Sequence, residues 1–158
     1  MRARRTPAEL TSDVFREIGI ISQLATARLQ RALDGVPGSL SVSEFSVIGR
    51  FARLGDGDTP SRLARVFQMS KPSMTAIVAK LEAKSFVRVE PDPDDARRKI
   101  VRLTKEGRAA YRKARSATLA QAEDFLAGFE VERLQALLPG LVRLRVWLDE
   151  ARREVDGL

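Results

Sequence analysis

Residues Leu63 to Val87 read LARVFQMSKPSMTAIVAKLEAKSFV, and the distribution of side chains in this run decides the fold. Thr59 and Pro60 form an N-cap and first helical position, so a short helix is predicted from Pro60 to about Val66 with Leu63, Ala64 and Phe67 turned inward. After a brief break, Ser70 can cap a second helix, in which Met74, Ile77, Val78 and Leu81 fall on one face. Two helices separated by a few residues form a helix-turn-helix. A helix that reads DNA must be held by a neighbour through a sharp turn, with small or polar side chains leading and apolar ones behind. Here Ser70, Lys71, Pro72, Ser73, Thr75 and Ala76 lead. The hydroxyls of Ser70, Ser73 and Thr75 can meet phosphate or base edges, and the helix start attracts phosphate through its dipole. Ser70 taken alone reads as a cap; the constellation reads as a DNA-contacting edge.

Moving toward the C-terminus, the period changes after Ser85 from helical to alternating. Phe86 to Glu90 and Lys99 to Leu103 are predicted strands around a charged loop, so a β-hairpin follows directly on the second helix, which is a wing. The loop DPDDARRK, Asp92 to Lys99, mixes three acids with three bases. Asp94 and Asp95 would repel phosphate unless turned away or paired with Arg97 or Arg98. One consistent arrangement has Asp95 orienting an arginine into a narrow minor groove; the other is a hairpin tip of compensating charges. Thr104, with Glu106 and Gly107 behind it, opens a long helix whose stripe is Tyr111, Ala114, Thr118, Ala122, Phe125 and Phe129. A last helix, about Val131 to Glu154, carries Leu134, Leu138, Leu141, Leu144 and Leu148.

Toward the N-terminus, Gly55 to Asp58 reads as a turn, preceded by a helix from Ser43 that carries Phe45, Val47, Ile48, Phe51 and Leu54. A further helix is predicted from a Ser12 or Asp13 cap to Asp34, with Val14, Ile18, Ile21, Ala25, Leu29 and Leu33 on one face. The whole is mostly α with one small β-hairpin.

Composition narrows the chemistry. The chain has neither cysteine nor histidine, which removes disulfides, thiolate nucleophiles, the commonest metal ligand and the commonest general base. No cofactor is expected. A formal charge of +7 favours a polyanionic partner. There is no apolar run of membrane-spanning length and no leader pattern, so a soluble, cytoplasmic protein is expected.

In order and spacing, LA…MSKPSMTAIVAKLE, FV, DPDDARRK and VRLTKEG together resemble the MarR (multiple antibiotic resistance regulator) family. The resemblance implies a winged helix-turn-helix transcriptional regulator, a homodimer with interlaced terminal helices binding a roughly palindromic operator. It places Ser70, Pro72, Ser73, Thr75, Ala76 and Lys80 on the recognition helix and Arg97 at the wing tip. Three departures stand out. Ala76 occupies a position where the family often has arginine, so base reading there is expected either to weaken or to shift to apolar contact with a thymine methyl. Ser85 replaces a frequent glycine, so a left-handed cap there would be strained. Pro139 and Gly140 predict a kink or break in the last helix.

The expected organisation is an N-terminal dimerisation helix (1–35), a winged helix-turn-helix DNA-binding domain (36–103) and C-terminal dimerisation helices (104–158). The terminal stripes exceed what a domain of about 70 residues can cover, so a second copy is the natural cover, the alternative being an intramolecular bundle packed on the winged domain. Lys71, Lys80, Arg98 and Lys99 are expected to supply phosphate contacts, and Ser73, Thr75 and Arg97 part of the specificity. The resemblance also suggests a pocket for a small aromatic or acidic effector, with Phe15, Phe45, Phe51, Tyr111 and Trp147 as candidate lining and Arg28 or Arg50 as a partner for an acid. Two other functional classes compete. One is a winged-helix protein-interaction module without sequence-specific DNA binding, against which the basic residues argue. The other is an enzyme using Asp92, Asp94 and Asp95 at a metal, against which their place on a hairpin tip argues.

Overall fold

A computed structural model describes residues 5–55, 57–93, 95 and 97–156. The described residues through Ala122 form one compact unit and those from Glu123 onward a second. The first unit holds α1 (Pro7–Asp34), α2 (Val42–Leu54), α3 (Pro60–Val66), α4 (Lys71–Ala83), β1 (Val87–Pro91), β2 (Lys99–Leu103) and most of α5 (Lys105–Leu126); the second holds α6 (Val131–Asp156).

Helices α1 to α5 each start at a local cap. Thr6 accepts from the Glu9 amide while the Glu9 carboxylate accepts from the Thr6 amide, and Pro7 has no amide hydrogen to leave unpaired. Helix α1 therefore begins before the expected Ser12 or Asp13 cap; the Asp13 carboxylate instead pairs with Arg5 and Arg16 along the helix side. In α2 the capping box is Ser41 with Glu44, two residues ahead of the expected Ser43 start. Thr104 caps α5 by accepting from the Gly107 amide at 2.9 Å.

The core gathers Leu33, Leu40, Val47, Ile48, Phe51, Leu63, Ala64, Met74, Val78, Leu81, Val87, Val101 and Ala114. Phe67, expected inside, is half-buried against it, and Leu54 is exposed. Strands β1 and β2 are antiparallel, with Val89 opposite Val101. The segment expected to be only a turn does more. Asp58 forms a bridge to Val101, its amide donating to the Val101 carbonyl at 3.1 Å and its carbonyl accepting from the Val101 amide at 2.9 Å. Both edges of β2 are thus bonded, and Gly57 lies so close to Ile100 and Arg102 that a β-carbon there would collide with them.

In the second unit α6 runs unbroken through Pro139 and Gly140, overturning the expected break. Proline has no amide hydrogen to return to the carbonyl four residues earlier, a local cost that does not end the helix. Among the described side chains of α6, Leu137, Leu138, Leu141, Val142, Val146 and Trp147 are exposed.

Candidate nucleic-acid interface

Helix α4 divides lengthwise. Met74, Val78 and Leu81 are buried and Ile77 is half-buried, so the helix is fixed by one face. Ser70, Lys71, Pro72, Ser73, Thr75, Ala76 and Lys80 are all exposed on the remainder. The hydroxyls are not idle. Ser70 caps the helix, accepting from the Ser73 amide at 3.2 Å, and the two serine hydroxyls share a hydrogen bond of 2.8 Å. Thr75 donates to the Lys71 carbonyl at 2.9 Å, so as the helix stands its oxygen is offered outward as an acceptor. Such an edge suits base amino groups, while the Lys71 and Lys80 ammoniums suit phosphate. The preceding helix α3 adds Arg62 and Arg65, both exposed, which the sequence reading missed. Their signal is the spacing of three residues around the buried pair Leu63 and Ala64. The first helix of such a pair crosses the DNA backbone.

The rear end of α4 is built differently. The Phe86 amide donates to the Leu81 carbonyl at 2.9 Å and the Ser85 amide to the Glu82 carbonyl at 2.8 Å, which is a Schellman turn with Ser85 left-handed at φ +59. The strain foreseen for this serine is present. The Thr104 hydroxyl donates to the Ser85 carbonyl at 2.8 Å, anchoring the turn to the start of α5. Gly107 is so close to Phe86 that a β-carbon would overlap its carbonyl, which explains a glycine in the LTKEG run.

Lys84, just past the helix, donates to the Ser39 carbonyl at 2.5 Å and to both oxygens of Glu44 at 2.9 and 3.1 Å. Glu44 is 3% exposed and is the buried charged residue among those described. Burial pushes its carboxyl up, but the Ser41 amide and the Lys84 ammonium pull harder the other way, leaving it below the ordinary glutamate range. Nothing in the sequence singled out this pair; its members are forty residues apart.

In the wing, Arg97, Arg98 and Lys99 are exposed. Asp95 acts on the loop rather than on a guanidinium: its carboxylate accepts from the Arg97 amide at 3.0 Å and its carbonyl from the Arg98 amide at 2.8 Å. The expected orienting role is therefore corrected from side chain to backbone, and Asp94 lies outside the described residues. At the wing's base, the Asp58 carboxylate takes Arg50 of α2 at 3.2 Å and Arg62 of α3 at 3.7 Å.

The candidate effector residues stand in different surroundings. Phe51 is closed in the core, Phe45 stacks on Tyr111 with centroids 5.5 Å apart, Phe15 is exposed, and Trp147 is exposed in the second unit. Arg50 already has Asp58 for an acid. An open groove of about 510 Å³ runs instead between α1 and the start of α2, lined by Ser22, Gln23, Thr26, Gln30, Ser41 and Ser43 among others.

Two helices joined by a tight turn, with a hairpin directly behind and bonded to residue 58 in front, make a winged helix-turn-helix domain. The comparisons carry this further. A model described as MarR family matches residues 22–98. The transcriptional activatory protein BadR of Rhodopseudomonas palustris is 27% identical over 121 residues, 75% of this chain and 67% of BadR. An uncharacterized HTH-type transcriptional regulator of Mycobacterium leprae is 34% identical over 96 residues, 60% of this chain and 66% of that protein. The matched parts thus span about two thirds of these curated relatives. The crystal structure of the transcriptional regulator BldR from Sulfolobus solfataricus superposes with a TM-score of 0.79 at 25% identity, covering 90% of this chain and 99% of that one. The chain belongs to the MarR family of DNA-binding transcriptional regulators.

Proposed function

We propose that two copies of this chain bind one palindromic duplex, each laying the leading end of α4 in a major groove and its wing along the adjoining minor groove. The observation that carries this reading is the exposure, on one unit, of Ser73, Thr75 and two lysines along α4 together with Arg97, Arg98 and Lys99 on the wing. In this reading Lys71, Lys80, Arg98 and Lys99 hold phosphate, Ser73, Thr75 and Ala76 face base edges, and Arg97 enters the minor groove. Dimerisation is supported by α1, where Leu10, Val14, Phe15, Ile20, Ile21 and Leu24 are exposed. A two-fold dimer carries +14 and sets its reading helices about 34 Å apart. Occupying a promoter in this way represses by exclusion, in the cytoplasm. BadR is named an activatory protein, so the position of the operator relative to the promoter decides the direction here. Release by a small aromatic or acidic effector completes the proposal, with the groove beside α1 as its place. The chain catalyses no reaction.

Selection of bound duplexes from a random-sequence library tests the reading. The expected product is a palindrome with half-sites one helical turn apart. Arg97→Ala should weaken binding to it by about 1–3 kcal/mol. No retardation of any duplex at low salt would instead mark a protein-interaction module, and an unchanged Arg97→Ala affinity would remove the wing from the mechanism.

A further inference from the structure

The two ends of α4 face opposite demands. Its leading residues stay open to a ligand, and just ahead of them the chain is tied to α3 only through the turn, where the Met69 amide donates to the Ala64 carbonyl at 2.9 Å. Three buried side chains, Met74, Val78 and Leu81, hold the middle. Apolar contacts of this kind are non-directional and tolerate small rotations. From Ser70 to Lys84 the helix is about 20 Å long, so a tilt of about 10° about the rear end would displace the leading end by about 3.5 Å. That displacement is enough to misplace a hydrogen bond to a base edge.

The rear end adds directional side-chain contacts to other elements. The Lys84 ammonium spends its three hydrogens on the Ser39 carbonyl and the two Glu44 oxygens. Glu44 is itself locked to the start of α2, since its carboxylate accepts from the Ser41 amide at 2.6 Å. Gln30 of α1 holds the same loop, its amide donating to the Leu40 carbonyl at 3.2 Å and accepting from the Val42 amide at 3.0 Å. Ser39 is held in a left-handed conformation, φ +27, with its carbonyl on Lys84. Burying the Glu44 carboxylate strips it of water, a cost that its partly exposed partner Lys84 only partly returns as stability. A pair retained at that cost, with fixed geometry and at the end of a lever, is suited to set an angle.

We propose that Lys84 and Glu44 are positioning residues for DNA reading: their ion pair, with Glu44 buried and Lys84 partly exposed, pins the rear of α4 to the start of α2 and so sets the angle at which the leading end meets base edges. This rests on the proposed DNA-binding role and adds to it a determinant of specificity that touches no nucleotide.

The test uses the full chain with two duplexes, the palindrome selected by the wild-type protein and a random-sequence duplex of equal length. Glu44→Gln breaks the ion pair, keeps an acceptor for the Ser41 amide and removes no cation. Net charge rises by one, so simple electrostatics predicts binding at least as tight to both duplexes. The positioning role predicts instead that the ratio of palindrome to random-duplex affinity falls at least tenfold while random-duplex affinity holds or rises. Lys84→Met should lower the ratio similarly, and Lys84→Arg should keep it within threefold. The double variant Glu44→Gln with Lys84→Met leaves no buried charge unpaired. It should unfold within a few degrees of wild type yet still discriminate poorly. A wild-type ratio in Glu44→Gln or in the folded double variant overturns the proposal and leaves the DNA-binding reading standing. A wild-type protein that selects no duplex overturns both.

Discussion

Helices α1 and α2 are both amphipathic, yet they meet opposite fates. In 13 residues α2 buries Glu44, Val47, Ile48, Gly49 and Phe51; in 28 residues α1 buries Leu33 alone. Apolar content does not separate them, since α1 offers Leu10, Val14, Phe15, Ile20, Ile21 and Leu24. What separates them is company. Helix α2 has α4, β2 and the ring of Tyr111 around it, whereas α1 reaches the core only at its C-terminal end through Leu29 and Leu33. The winged portion is complete within one chain, and α1 is left wanting a cover that we assign to a second copy.

The sharpest way to break this comparison is to charge the bare helix. Ile21→Asp with Leu24→Asp should abolish dimerisation. Each lost apolar contact costs about 2 kcal/mol and counts twice across a two-fold axis, for roughly 8 kcal/mol in all. Sedimentation should then show a monomer in which the winged portion still melts cooperatively; an unchanged dimer would place the interface elsewhere. Gly107→Ala strikes the other region. Its methyl overlaps the Phe86 carbonyl, and the turn behind α4 must move, at a cost of about 3 kcal/mol. Chemical denaturation reads this, and a change under 1 kcal/mol would mean that the backbone gives way there.

A smaller effect sharpens the contrast in the stabilising direction. Ser85→Gly removes the left-handed strain at the Schellman position and should raise the stability of the winged portion by about 1 kcal/mol without altering dimer affinity. The smallest effect concerns acid. The carboxyl of Glu44 lies below its ordinary range in the folded chain, so its contribution is whole above that range and drains as pH falls through the lowered value. Acid titration of wild type against Glu44→Gln should show that component only in the wild type, and parallel curves would deny it.

What the sequence made legible is what rests on local periodicity. The α3–α4 pair, the hairpin and the exposure of all ten expected DNA-facing residues follow from spacings within a single element. The Ser85 strain was readable only through the family resemblance, which puts a frequent glycine at that position. The start of α1 was written in Thr6, Pro7 and Glu9 but was hidden by the lack of apolar rhythm before Val14. The Lys84–Glu44 pair and the Asp58 bridge had no such signal. One joins residues forty apart, and the other is a strand of one residue, too short to alternate. At Pro139 the local rule allowed a kink or a break, and the continuity of α6 removes the break.

The Asp58 crossbar also limits how far the hairpin can be treated as an interchangeable part. Residue 58 closes the outer edge of β2 with two backbone bonds while its carboxylate reaches α2 and α3. A wing transplanted from a relative as residues 87–103 alone would arrive with one border unstitched. A chimera that carries residues 57–59 along with the hairpin transfers the whole joint.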